Sequence, residues 1–288
     1  MDALPLPLSR HTVHVMGDDT CQVTLAAEIP VSLVFNGVAH AVMMATPQDL
    51  DAFALGFALS EGIIDNPREC YDIEVLSVPA GEAGLPAGVD AATVEMRVSA
   101  FSFNRLKSRR RRMAGRTGCG VCGVESFAGL DLDLEQLAAP DWLYRVDGPR
   151  VLRAVGALPA RQLLNGQAGA IHAAGWATID GVLIDVMEDV GRHNALDKLF
   201  GKLAMSGRLM QPGFVVITSR GSHELVRKCA RLGINALCTV SAPTAMGVQM
   251  AQLTGVRLWG LCRAPRAVLY SAGGVHSCTR AALGSAAE

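Results

Sequence analysis

Residues 214–263 read FVVITSRGSHELVRKCARLGINALCTVSAPTAMGVQMAQLTGVRLWGLCR. Phe214 to Thr218 is an apolar run of strand length, and Ser222 opens a helix that runs to about Leu232. Asn235 to Val240 is a second strand, Thr244 to about Leu253 a second helix, and Val256 to Cys262 a third strand. Ala267 to Tyr270 reads as one more short strand. A helix over 194–205 precedes them all, with Leu196, Leu199, Phe200 and Leu203 on one face. Strands and helices alternating at this spacing indicate βαβ units. The fold class is therefore α/β, with a parallel or mixed sheet and helices on both faces.

Toward the N-terminus the rhythm changes. Between Val31 and Met44 two apolar runs flank Asn36-Gly37, a pair that tolerates the positive φ of a type I′ turn, which predicts a β-hairpin. Thr46-Pro47 predicts a helix start, with Thr46 as N-cap, Pro47 at the first helical position and Asp49 in the first turn. Leu50, Phe53, Ala54, Phe57 and Ala58 follow at helical spacing up to Gly62. Residues 79–90 hold three glycines and two prolines and read as a loop, and Thr93 to Val98 alternates as a strand. These features divide the chain into a flexible leader (1–20), an N-terminal α/β part ending in a basic stretch (21–117), a mobile cysteine loop (118–124), a larger α/β domain (125–280) and a tail (281–288).

Composition limits the function classes. The chain has 288 residues, 26 basic against 27 acidic, half of them hydrophobic and 18% charged. It is too apolar for disorder, and long enough for one large domain or two smaller ones. No stretch approaches the roughly 18 apolar residues of a membrane span. Residues 1–10 lack a basic start followed by an apolar run, so no export signal is expected. The near-neutral charge argues against a general nucleic-acid binder. A soluble, cytoplasmic protein with no membrane and no nucleic-acid partner is the expectation. In a reducing compartment the eight cysteines are not expected to form a disulfide framework. Cys21, Cys70, Cys229, Cys238, Cys262 and Cys278 are scattered, several in apolar runs where cysteine serves as a small hydrophobe.

Cys119 and Cys122 alone form a spaced pair, in Gly118-Cys119-Gly120-Val121-Cys122-Gly123. A structural zinc site needs four ligands, and no second Cys-x-x-Cys or matching His pair is present. A thioredoxin-like dithiol would place the first cysteine at a helix start, which the interleaved glycines disfavour. The remaining reading is a mobile loop that presents a nucleophilic sulfur. The charge pattern supports it. Between Glu95 and Glu125 there is no acidic residue, while Arg97, Arg105, Lys107, Arg109, Arg110, Arg111, Arg112 and Arg116 all fall in that interval. Cations favour thiolate over thiol, and they attract an anionic substrate or an acidic partner. An arginine run by itself would be read as a solvated loop; the cysteine pair that follows it tips the balance.

Two strand-to-helix turns, Ser219-Arg220-Gly221-Ser222 and Ser241-Ala242-Pro243-Thr244, lie at the carboxyl edge expected of a parallel sheet, where ligands of open α/β folds bind. Helix-start amides, the hydroxyls and Arg220 suit a phosphate or diphosphate. Ser222 and Thr244 also serve as ordinary N-caps, and neither turn matches a P-loop. Glu188-Asp189-Val190-Gly191-Arg192-His193-Asn194, with Asp197 and Lys198 following, is a dense polar cluster around a glycine. Arg192 and His193 are its candidate anion contacts. His172, Glu61 and Gly62 are weaker candidates, each with an ordinary structural explanation.

Together these segments resemble the formate dehydrogenase accessory sulfurtransferase (FdhD) family. The resemblance runs from about Val31 to Tyr270 and is carried by Thr46-Pro47, Gly56-Phe57, Ser60-Glu61-Gly62, Gly118 to Gly123, Glu188 to Lys198, Ser241 to Thr244, and Leu258-Trp259-Gly260-Leu261-Cys262-Arg263. The chain departs from the family's usual pattern at Ala168, where a threonine is common, and in Ser219-Arg220-Gly221-Ser222, where arginine usually stands one position later. The resemblance implies a cytidine-deaminase-like three-layer fold with a mixed sheet in the larger domain, and a homodimer. It implies a sulfurtransferase that takes sulfur from a cysteine desulfurase as a persulfide. The acceptor would be the bis-molybdopterin guanine dinucleotide form of the molybdenum cofactor, before its insertion into formate dehydrogenase. By position Cys119 matches the persulfide-carrying cysteine, Cys122 the second cysteine, and Leu258 to Arg263 the cofactor-binding segment. Arg192, His193, Ser219, Arg220, Ser222 and Thr244 are further candidate cofactor contacts. No His-x-Glu with a following Pro-Cys-x-x-Cys is present, so deaminase zinc is not expected. The alternative is a molybdenum-cofactor-binding chaperone that moves no sulfur.

Overall fold

The computed structural model describes residues 3–15, 19–110 and 135–274. The cysteine pair Cys119 and Cys122, the arginines at 111, 112 and 116, and the tail 281–288 lie outside them. The described residues fall into two compact units. The first takes the chain up to 110 together with Leu158–Gly175 and Asp185–Leu209. The second takes the described chain from 135 to Ala157, Trp176–Ile184 and the chain from Met210 onward. The partition is interleaved, where the sequence led us to expect two consecutive stretches.

In the first unit, β1 (Leu8–His14) and β2 (Thr20–Ala26) form an antiparallel ribbon. The expected leader thus contains a strand. Its side chains are mostly exposed or half-buried, so no apolar face marks it in the sequence. A four-stranded mixed sheet follows, in the order β4-β3-β6-β5. β3 (Ile29–Phe35) and β4 (Val38–Ala45) are the expected hairpin. Asn36 and Gly37 take φ of 46° and 77°, the left-handed pair a type I′ turn requires. The Asn36 side chain also fastens the turn to β6 (Ala91–Val98): Nδ2 donates to the Val98 carbonyl at 3.0 Å and Oδ1 accepts from the Val98 amide at 2.8 Å. β6 runs parallel to β3 and antiparallel to β5 (Cys70–Val78).

Helix α1 (Leu50–Ser60) is buried on every side except Asp51. It begins at Leu50 behind Asp49, whose left-handed backbone (φ 53°) ends the preceding turn. Thr46 is therefore not its N-cap; its hydroxyl and backbone serve the buried polar network at 188–198 instead. α2 (Ala100–Arg110) follows β6, and α4 (Asn165–Ala168) and α5 (Arg192–Met205) complete the helices of this unit. α1 and α5 cross at glycine. A Cβ on Gly56 would sit 1.8 Å from the Asp197 carbonyl oxygen, and one on Gly201 1.9 Å from that of Ala52. Only hydrogen fits at either place.

A six-stranded sheet has the order β12-β11-β10-β9-β7-β8. β7 (His172–Thr178) and β8 (Leu183–Asp189) each straddle the boundary of the two units. β9 (Gly213–Ile217), β10 (Ala236–Thr239) and β11 (Arg257–Arg263) are parallel and almost wholly buried, as expected of strands covered on both faces. β12 (Arg266–Ala272) returns antiparallel, so the sheet is mixed. α3 (Gly148–Ala157), α6 (His223–Arg231) and α7 (Ala245–Thr254) belong to the second unit. An α/β fold with mixed sheets and a β-hairpin is what the chain forms.

Candidate functional site

In the first unit the polar segment 188–198 is turned mostly inward. Asp189 and Lys198 are both fully buried and pair at 2.7 Å. The Lys198 ammonium donates as well to the carbonyls of Thr46 (3.0 Å) and Glu188 (3.3 Å). The Asp189 carboxylate accepts from the Thr46 amide (3.0 Å), the Gly191 amide (2.8 Å) and Asn194 Nδ2 (3.0 Å). Asn194 gives another hydrogen bond to the Met44 carbonyl at 2.8 Å, and the Thr46 hydroxyl accepts from the Val190 amide at 3.1 Å. Each charge is thus compensated by several partners, the condition under which a buried ion pair is tolerated. Gly191 is required here: a Cβ would lie 2.9 Å from Asn194 Nδ2. Ser60 donates to Asp197 at 2.7 Å, tying α1 to α5.

Glu188 points the other way and accepts from the amides of Leu164 (2.9 Å) and Asn165 (2.8 Å), holding the start of α4. Arg192 and His193, at the start of α5, are half-buried. His172 is near Arg192; burial first, and then the Arg192 charge, lower the pKa of its imidazole, against a smaller opposing pull from Asp189. Arg192 and His193 are the two residues of 188–198 that the sequence reading offered as anion contacts. The other polar side chains of the segment form the scaffold beneath them. Thr46, Ser60 and Glu188 were not expected in that scaffold; the resemblance alone drew attention to Thr46 and Ser60.

In the second unit the three parallel strands deliver three turns to one edge. The Thr244 amide donates to the Gly221 carbonyl at 3.0 Å, and the Leu261 amide to the Ser241 carbonyl at 3.2 Å. The two turns and the end of β11 are thereby stitched together. Thr239 supports them, its hydroxyl donating to the Ser241 carbonyl at 2.6 Å. Glycine again sets the spacing: a Cβ on Gly247 would meet the Gly221 oxygen at 2.2 Å, and one on Gly260 the Pro243 ring at 2.6 Å. The starts of α6 and α7 share this edge, which concentrates the positive ends of two helix dipoles.

The expected contacts differ in what they offer. Arg220 and Arg263 are exposed, and among the described residues neither makes an ion pair. Ser219 is buried, its hydroxyl donating to the Arg220 carbonyl at 3.2 Å. Thr244 caps α7 by accepting from the Gly247 amide at 3.0 Å. Ser222 occupies the N-cap of α6 without a side-chain cap bond, and its buried hydroxyl has no partner. Leu258, Trp259, Gly260 and Cys262 are buried within β11, whereas Leu261, in a left-handed turn at φ 54°, and Arg263 reach the surface. His223 and Glu224 open α6 beside them, 3.5 Å apart.

Burial silences most of the described cysteines. It pushes Cys262 up to about 12. It raises Cys229 and Cys238 well beyond the ordinary thiol range, and Cys70 to a lesser degree. A protonated thiol is a poor nucleophile, so none of these four suits sulfur chemistry at neutral pH.

A sulfur carrier protein FdhD from Chromobacterium violaceum is 50% identical over 248 residues, which cover 86% of this chain and 88% of that one. A protein of the same name from Burkholderia cenocepacia is 47% identical over 261 residues, 91% of each chain. The crystal structure of a candidate formate dehydrogenase accessory protein from Desulfotalea psychrophila superposes with a TM-score of 0.63 at 22% identity. It covers 93% of this chain and 97% of its own, so it shares the fold. The sequence profile of the FdhD/NarQ family matches residues 26–277. With nearly the whole chain so covered, from β2 to beyond β12, it belongs to the FdhD/NarQ family.

Proposed function

We infer that the chain is a sulfur carrier that accepts sulfur from a cysteine desulfurase as a persulfide on Cys119. It passes that sulfur to the molybdenum cofactor, in its bis-molybdopterin guanine dinucleotide form, before the cofactor enters formate dehydrogenase. The observation that carries this reading is the pairing of relatives named as sulfur carriers with a glycine-flanked Cys-x-x-Cys in an interval of eight cations and no acid. The burial of Cys229, Cys238 and Cys262, which raises their thiols, supports it by taking three of the other cysteines out of contention. A cytidine-deaminase-like fold, a homodimer and a cytoplasmic location belong to the same reading.

The loading step is balanced by the two cysteines alone. The Cys119 thiolate attacks the outer sulfur of the donor persulfide; an Sγ–S bond forms, the donor S–S bond breaks, and the donor cysteine leaves as thiolate. The cationic interval stabilises the attacking thiolate. The acceptor is a substrate with two diphosphates, and the stitched edge of the second unit suits it. Arg220 and Arg263 stand exposed there beside two helix starts, with the Ser222 hydroxyl lacking a partner. Leu258 to Arg263 supplies Leu261 and Arg263 to that surface, its other members forming the wall behind. In the first unit, Arg192 and His193 are further candidates for holding an anionic group.

Intact mass after incubation with a cysteine desulfurase and cysteine tests the reading. A gain of one sulfur, removed by reductant and absent in Cys119→Ala, is expected. A Cys119→Ala protein that still yields active formate dehydrogenase would point instead to a cofactor chaperone that transfers no sulfur.

A further inference from the structure

α2 carries Arg105, Lys107, Arg109 and Arg110 and no acidic side chain. Its inner side is rooted in the first unit. Leu106 is buried, Ser102 donates to the Glu69 carboxylate, and Arg105 pairs with Asp65 while donating to the Ile63 carbonyl at 2.9 Å. Its outer side keeps Phe101, 72% exposed, with Asn104, Lys107 and Ser108. Rings and cations interleave: the Arg105 guanidinium lies 5.7 Å from the Phe101 ring centre, and the Lys107 ammonium 4.2 Å from that of Phe103.

We propose that this outer face of α2 is the docking surface for an acidic protein surface, that of the partner which loads sulfur onto Cys119. The proposal rests on the sulfur-carrier reading and adds the surface the donor uses. One exposed phenylalanine is ordinary on a protein surface. Phe101 differs in standing on a helix that has no acidic residue in its sequence, with the exposed Lys107 on the same outer side and its inner contacts already satisfied. An aromatic centre with charges at its rim is the composition of a protein–protein contact, and complementary carboxylates on the partner would steer the encounter. A small anion is a poorer fit. Arg105, the guanidinium that could clamp it, is committed to Asp65 and Ile63, and the single convex helix encloses nothing. The position also suits a donor. Arg110 and Cys119 are nine residues apart, at most roughly 30 Å even along fully extended chain.

The test compares two sulfur donors on the full chain: a cysteine desulfurase charged with cysteine, and the small molecule glutathione persulfide. Phe101→Ser and Lys107→Glu should each slow loading from the desulfurase by about tenfold, the loss of one hot-spot contact. Phe101→Ser should leave loading from the small persulfide at the wild-type rate. Unchanged desulfurase loading in both variants overturns the proposal. So does an equal loss with both donors, which would place the effect on the cysteine loop itself. Wild-type protein that accepts sulfur from neither donor overturns the sulfur-carrier reading, and the docking surface with it. Sedimentation with phosphatidylglycerol vesicles, lost in Phe101→Ser while desulfurase loading persists, would assign the face to a membrane surface instead.

Discussion

Segment 188–198 of the first unit resembles, in sequence, the paired turns 219–222 and 241–244 of the other unit. Each is polar, punctuated by glycine or proline, and placed between a strand and a helix. The structure uses them in opposite ways. At 188–198, carboxylate, ammonium and carboxamide are spent on one another and on backbone groups, and both charges of the ion pair are fully buried. At the paired turns, the backbone does the fastening, through the Gly221 and Ser241 carbonyls, and Arg220 and Arg263 are left in solvent. Polar density alone does not mark a binding surface. What matters is whether the strand end is held by its own side chains or by its main chain.

Breaking the buried segment should cost much stability, and trimming an exposed side chain of the paired turns should cost little. Lys198→Met strands the Asp189 carboxylate in the interior and should lower the unfolding free energy by about 3–5 kcal/mol in urea titration. A loss under 1 kcal/mol would mean that the ion pair does not pin the segment. Arg220→Gln should change the unfolding free energy by no more than about 0.5 kcal/mol. The same substitution should weaken binding of guanosine diphosphate, a fragment of the proposed acceptor, by about tenfold in calorimetry, the worth of one charge-assisted hydrogen bond. Equal affinity would remove Arg220 from the surface.

The two N-caps sharpen the contrast within the paired turns. Thr244→Ala removes a formed cap bond and should cost about 1 kcal/mol. Ser222→Ala removes a buried hydroxyl that has no partner and should be neutral or slightly stabilising. The smallest expected effect is at His172. Its folded-state pKa is depressed, so the unfolded chain takes up a proton first as pH falls below the ordinary 6.5. Stability should therefore decline from that pH down to the folded-state value, and His172→Gln should flatten the decline.

The sequence carried the βαβ rhythm well because β9, β10 and β11 are continuous apolar runs separated by helices of ordinary length. The hairpin was legible for a local reason, the turn at Asn36-Gly37. β7 reads His-Ala-Ala-Gly-Trp-Ala-Thr, and its small residues give neither alternation nor β-branched enrichment, so it went unseen. Thr46 was misread because a threonine before a proline signals a helix start locally, while the competing partners, Asp189, Val190 and Lys198, are more than 140 residues away. Long-range pairing overrides a local signal whenever it satisfies more polar groups. The resemblance drew attention to 188–198, but the burial of Asp189, Asn194, Asp197 and Lys198 beneath the half-buried Arg192 and His193 is a property of the fold.

The interleaving of the two units has a consequence for inheritance. A fragment that holds the first unit entire must run to Leu209, and it then carries 135–157 and Trp176–Ile184 as orphans. A fragment that holds the other unit entire begins near 135 and drags along Leu158–Gly175 and Asp185–Leu209. Neither half can be lent to another gene by one clean recombination. The chain travels whole or not at all.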